Sequence, residues 1–208
     1  MSLRRRPCRL PRRWIELVHR LCSVVLCCAV LAACVAARRE PKPAAGWEQR
    51  VAALQQLQDW QLDGRAAVAV GTQGWQATLN WQQHGEAAEV HLSGPFGVGA
   101  IVLKRTPDGL SLNGAPPSPD VLAQLQDKLG FELPIDHLRY WLIGVPDPSA
   151  AFDLKRNEQD RPLQLIQADW TIDYERYMPF DGDVLPAHVV LSREGVRVRI
   201  AVDRWAGR

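Results

Sequence analysis

The sequence predicts an α+β fold built on antiparallel strands. In "WQATLNWQ", Trp75, Ala77, Leu79 and Trp81 alternate with Gln76, Thr78, Asn80 and Gln82. Near the other end, Val196, Val198, Ile200 and Val202 alternate with Arg197, Arg199, Ala201 and Asp203. A period of two is that of a strand with one face buried and one in water. Between the two runs the period changes. Val121, Leu122, Leu125 and Leu129, then Ile135, Leu138, Trp141 and Leu142, recur at helical spacing.

The elements follow in chain order. Trp47, Val51, Leu54 and Leu57 form one stripe of a helix, with Glu48, Gln49, Gln56 and Asp59 outside it. "WQLDGRAAVAV" is a strand with Ala66, Val68 and Val70 on one face, and "GTQG" at 71–74 is a turn. After the strand at 75–82, Val90 and Leu92 mark the next. Ile101 and Leu103 mark the one after that, and Leu110 and Leu112 follow a Pro-Asp-Gly turn. Short turns between consecutive strands make a meander. Ser118-Pro119 opens a helix and Gly130 stops it. A second helix follows Pro134 and ends at Gly144-Val145-Pro146. Strands then resume at Leu163 and Leu165, at Trp170, Ile172 and Tyr174, at Val189 and Leu191, and at Val196–Val202.

The N-terminus is of another kind. Residues 1–33 hold seven arginines, no lysine and one acid, Glu16. From residue 34 onward there are 18 basic and 22 acidic residues, so the overall charge of +2 belongs to the first segment alone. Without a basic stripe the remainder is not a nucleic-acid binder. An apolar run of 13 residues, Leu21–Ala33, follows Arg20. It is too short to span a bilayer, which takes about 20 residues as a helix. A basic flank, a short apolar core and small residues at its end make a secretion signal, residues 1–33. Its ending, "LAAC" at 31–34, matches a lipobox, which marks Cys34 for acylation. That covalent lipid is the one group the chain is expected to carry. All five cysteines lie at or before residue 34, so a disulfide framework and a thiolate metal site are excluded downstream. Val35-Ala36, with no Asp after the cysteine, point to the outer membrane. "VAARREPKPAA" carries prolines and charges without a period. Residues 34–45 therefore read as a tether and 46–208 as the folded domain.

One turn is odd. In "HLSGPFGVGAIVL", His91–Leu103, the tip Gly94-Pro95-Phe96-Gly97 carries a large apolar ring where water is expected. Either Phe96 folds back onto the core or it meets an apolar surface outside.

Several stretches resemble the LolB family of outer-membrane lipoproteins. They are "DWQLDGRAAV" at 59–68, "WQATLNWQQ" at 75–83 and "LSGPFGVGAIVL" at 92–103. "LPIDHLRYWLIGVPDP" at 133–148, "LPAHVVL" at 185–191 and "VRIAVDRW" at 198–205 continue the series. Their order and spacing behind a lipobox carry the resemblance. It implies an open antiparallel half-barrel with a helical lid over an apolar cavity. It also implies a receptor that takes lipoproteins from the periplasmic carrier LolA and inserts them into the outer membrane. The partners are then LolA, acylated lipoprotein cargo and outer-membrane lipid, and the receptor acts as a monomer. Physics supplies the need. A buried methylene is worth about 0.8 kcal/mol, so moving several acyl chains bare through water costs on the order of tens of kcal/mol. The inward residues Val68, Val70, Leu79, Val90, Leu92, Ile101, Leu103, Ile172, Val198 and Ile200 are the candidate cavity lining. The alternative for each is ordinary packing against the helices. In the family the loop corresponding to 94–97 carries an exposed apolar residue, which assigns Phe96 to membrane insertion.

Other chemistry is sparse. His84, His91, His137 and His188 lack metal-ligand spacing, and no nucleophile elbow or phosphate loop is present. Catalytic residues are therefore not expected. Asp136-His137 reads as a solvated pair, Glu158, Asp160 and Arg161 as loop, and Arg65 as either a lid contact or a solvated side chain. Two other classes stay open at this stage: a lipoprotein that binds a free lipid or small apolar ligand, and a non-catalytic lipoprotein that docks a partner.

Overall fold

A computed structural model describes residues 46–94 and 99–207. Cys34 and Phe96 lie outside them. The chain order is α1 (Trp47–Gln55), β1 (Asp59–Val70), β2 (Gln73–His84), β3 (Ala87–Ser93), β4 (Ile101–Thr106) and β5 (Gly109–Leu112). Then come α2 (Val121–Leu129), α3 (Ile135–Trp141), β6 (Phe152–Arg156) and β7 (Pro162–Gln167). β8 (Trp170–Phe180), β9 (Asp183–Arg193) and β10 (Val196–Gly207) close it.

All ten strands belong to one antiparallel sheet, in the order β5-β4-β3-β2-β1-β10-β9-β8-β7-β6. Two meanders of five strands each are joined through β1 and β10, and α2 and α3 connect the two outer edges. The open α+β sheet expected from the sequence is therefore present. β6 was not expected. Its apolar positions are Phe152 and Leu154 alone, and most of its residues are exposed, so no alternation marks it.

Alternation sets the two faces. On β1, Trp60, Leu62, Ala66 and Val68 are buried, and on β2, Ala77, Leu79 and Trp81. On β10, Val198, Ile200 and Val202 face inward, and so does Trp205, three positions further on. A bulge accounts for the change of parity. Asp63 pairs with Arg204 and Gly64 with Val202, leaving Asp203 as the extra residue. At this point the strands approach closely. A Cβ on Gly64 would lie 2.4 Å from the Ala201 carbonyl oxygen, so only glycine fits.

The register also defines two ends. Asp59, His84, Ala87 and Asp183 mark one, and Val70, Gln73, Arg193 and Val196 the other. α1 closes the first end. The Trp47 backbone N–H donates to Asp160 Oδ2 at 2.7 Å, and Gln55 Nε2 donates to the Pro146 carbonyl at 3.2 Å. Arg50, 8% exposed, pairs with Asp183 and donates to the Val184 carbonyl. The expected stripe on this helix holds at Leu54, whereas Arg50 is a buried cation that the hydrophobic pattern did not announce. Beneath it Trp60 stacks on Trp81 with centroids 5.8 Å apart and meets Trp205 edge-on at 5.4 Å.

α2 begins at Val121 with Asp120 at its cap position, two residues after the expected Ser118. Ser118 instead accepts the Asp120 N–H on its hydroxyl and the Val121 N–H on its carbonyl. Gly130 ends the helix in the left-handed conformation, φ 81°.

Candidate acyl-chain site

A partly open apolar cavity of about 50 Å³ lies between one face of the sheet and the α2–α3 segment. The sheet contributes Ala66, Val68, Trp75, Leu79, Trp81, Val90, Leu92, Trp170, Leu191, Val198 and Ile200. The lid contributes Leu129 of α2, Leu138 of α3, Leu142 behind it and the connection Phe131, Leu133 and Pro134. No charged or hydrogen-bonding side chain apart from the tryptophan indoles takes part. The Trp81 indole donates to Gln83 Oε1 at 2.9 Å, so it too presents only its apolar rim.

Six of the ten candidate lining residues meet here: Val68, Leu79, Val90, Leu92, Val198 and Ile200. The other four lie elsewhere. Val70 is half-buried beside Gly130, past the cavity's end. Ile101 borders a neighbouring pocket. Leu103 is covered, its cross-strand partner being Leu112 of β5. Ile172 is fully buried between Leu165 and Leu191 of the flanking strands. Parity predicts which face a residue takes. It does not predict how far along the strand the lid reaches.

Leu129, Leu138 and Leu142 were read from the sequence as parts of helical stripes and not as lining, and Phe131 and Leu133 were not singled out; these lid residues are the main omission. One signal was available. Phe131, Leu133 and Pro134 connect two helices, yet the segment is apolar where connections are usually polar.

The neighbouring pocket, about 290 Å³, is lined by Trp75, Gln76, Ala77, Leu92, Gly94, Gly99, Ile101, Lys128 and Leu129. Gly94 and Gly99 are the described residues flanking the segment that contains Phe96. On the α1 side lies a wider groove of about 460 Å³, which shares Trp81 with the apolar cavity. Its lining includes Glu86, Arg105, Asp136, Arg139 and Asp147, so it is a polar surface and unsuited to an acyl chain.

α3 is fastened by polar contacts. Arg105 pairs with Asp136. His137 Nδ1 lies 2.7 Å from Asp147 Oδ2, and its ring stacks on Trp141 at 5.2 Å. His137 is thus a partner of a buried carboxylate, which corrects its reading as part of a solvated pair. Burial pushes the Asp147 carboxyl up, but hydrogen bonds from Ser149 and His137 outweigh it and hold the carboxyl below the usual range. Gln167, 2% exposed, uses its whole amide: Oε1 accepts from the Trp141 indole and the Asp147 N–H, and Nε2 donates to the Asp147 and Ala150 carbonyls. The Tyr174 hydroxyl donates to the Trp141 carbonyl at 3.0 Å. Arg65 faces outward, 69% exposed, and pairs with Asp203 at 2.8 Å; it does not touch the lid. Among the described residues no group of three or more His, Cys, Asp or Glu side chains converges as a metal site would require.

A family model for the outer membrane lipoprotein LolB matches residues 58–205. The chain belongs to the LolB family. Outer-membrane lipoprotein LolB of Nitrosococcus oceani is 32% identical over 204 residues, 93% of this chain and 98% of that one. LolB of Halorhodospira halophila is 32% identical over 194 residues, 90% and 95% of the two chains. A solved LolA superfamily protein from Nitrosomonas europaea shares the fold, with a TM-score of 0.51 at 10% identity over 79% of this chain and 94% of that one. LolB membership agrees with the outer-membrane localisation expected from Val35-Ala36.

Proposed function

We propose that this LolB-family chain is an outer-membrane receptor that takes acylated lipoproteins from the carrier LolA and passes their acyl chains to the membrane. The observation that carries the reading is the apolar cavity between sheet and lid, lined without a charged side chain. A chain of sixteen carbons gains on the order of 10 kcal/mol on leaving water at 0.8 kcal/mol per methylene. A site that presents only carbon to it retains that gain, whereas burying unpaired polar groups would offset it.

In this reading Cys34 carries the covalent anchor, residues 34–45 connect it to the domain, and Phe96 enters the lipid interface. The role is one of binding and transfer, without a catalytic step. LolA, acylated cargo and outer-membrane lipid are its partners, and it acts as a monomer. Displacement of an environment-sensitive apolar dye tests the cavity. An acylated lipopeptide displaces the dye, and the same peptide without acyl chains does not. Equal displacement by both contradicts the reading.

A further inference from the structure

Acyl chains come with a polar attachment point. In a lipoprotein they join the N-terminal cysteine through glyceryl esters and an amide, so carbonyl oxygens stand where the hydrocarbon ends. Burying these acceptors unpaired is costly, and the apolar cavity has no charged side chain to meet them. They need a polar space at its border.

The groove of about 460 Å³ on the α1 side is such a space. α3 stands between it and the cavity. Leu138 lines the cavity, whereas Ile135, Asp136, Arg139 and Tyr140 line the groove. Trp81 of β2 lines both and is their common wall. Most polar groups in the groove are already used. The Gln83 amide accepts the Trp81 indole N–H and donates to the Gly85 carbonyl. The Thr106 hydroxyl donates to the Gly109 carbonyl, and Arg105 pairs with Asp136.

Arg139 differs. Its guanidinium lies over the Tyr140 ring, 4.5 Å from the centroid, and Nη2 donates to the Tyr140 hydroxyl at 2.8 Å. Among the described residues no carboxylate pairs with it, and its remaining N–H groups are free to donate. An anion is a poor ligand for this groove, since the carboxylates of Glu86, Asp136 and Asp147 outnumber the guanidiniums of Arg105 and Arg139. That disfavours the carboxylate of a free fatty acid and the phosphate of a phospholipid. A neutral row of carbonyls suits it.

We propose that the groove binds the ester and amide carbonyls at the acylated N-terminus of the cargo, with Arg139 as their donor; this rests on the receptor reading above. Cargo is then recognised twice, by its hydrocarbon in the cavity and by its carbonyls at Arg139.

A change on the ligand side tests it. Two fluorescent probes are titrated onto the full-length lipoprotein in nanodiscs, with empty nanodiscs subtracted. One is a triacylated lipopeptide. The other is its ether analogue, which keeps the chains and loses the ester carbonyls. The wild type is expected to prefer the ester probe by about tenfold, as for a hydrogen bond to a charged group. Arg139→Ala is expected to bind the two alike, with its affinity for the ether probe unchanged. Thr106→Trp keeps Arg139 but fills the groove, and is expected to lose the preference too, which covers a failure of Arg139→Ala to fold. Disc phospholipid competes as a second source of esters in every arm. A wild type that binds both probes alike, or an Arg139→Ala protein that keeps the preference, overturns the proposal while the receptor reading stands. A wild type that binds neither probe overturns the receptor reading itself.

Discussion

His137 Nδ1 and Asp147 Oδ2 lie 2.7 Å apart, joining α3 to the loop that follows it. Asp147 also accepts the Ser149 N–H at 2.8 Å, and its carboxyl is held below the ordinary range despite burial. Two other carboxyls are depressed. Asp63 is lowered against its burial by Arg204, Gln61 and Asn80, and Glu89 chiefly by His91. A carboxyl depressed in the folded state adds stability above its unfolded value, about 3.9 for Asp, and that contribution is lost as pH falls through the folded value. The melting temperature is expected to fall below about pH 4, and Asp147→Asn to flatten that fall while lowering stability at neutral pH. Thermal melts between pH 3 and 7 measure both. Parallel curves for the two proteins would remove Asp147 from the account.

Gln167→Leu is expected to cost about 2–4 kcal/mol, because it leaves the Trp141 indole and the Asp147 N–H without their acceptor in a buried site. Denaturant unfolding measures it. Gln167→Glu keeps the acceptor but loses the two donated bonds, and is expected to destabilise as well.

Gly64→Ala is expected to cost about 1–3 kcal/mol by overpacking. The methyl would meet the Ala201 carbonyl at 2.4 Å, so β1 and β10 must separate at the bulge. A reduced denaturation midpoint is the readout. Gly46→Ala, where nothing lies within 4 Å and φ is −53°, is the control for close approach.

If Phe96 enters the lipid interface, Phe96→Glu is expected to leave the melting temperature near that of the parent, since the ring then contributes little to the core. Cargo uptake survives, and delivery to liposomes fails because a charge is disfavoured in the apolar interface. The variant accumulates loaded. A large loss of melting temperature would mean that the ring belongs to the core.

Strict alternation made the sheet legible. In β2, from Trp75 to Trp81, every second side chain contributes to one face, and nothing local competes with that pattern. The pattern fails where geometry departs from it. Asp203 and Arg204 both turn outward at the bulge, to Arg65 and Asp63, which reverses parity before Trp205. β6 is an edge with little to bury. Tertiary pairings are harder still. His137 and Asp147 are ten residues apart, and only the fold of the intervening Gly144–Pro146 turn brings them together. The cavity was legible as a face and not as a volume, because Leu103 and Ile172 share the parity of Val68 and Leu79 while lying under other cover.

The central claim is that acyl chains pass through this domain on their way to the membrane. The most direct measurement is transfer of a radiolabelled lipoprotein from LolA to the purified receptor and then to liposomes. The account predicts that label moves from carrier to receptor and on to lipid, and that cargo lacking acyl chains does not move. Transfer of acylated and unacylated cargo at the same rate would contradict it.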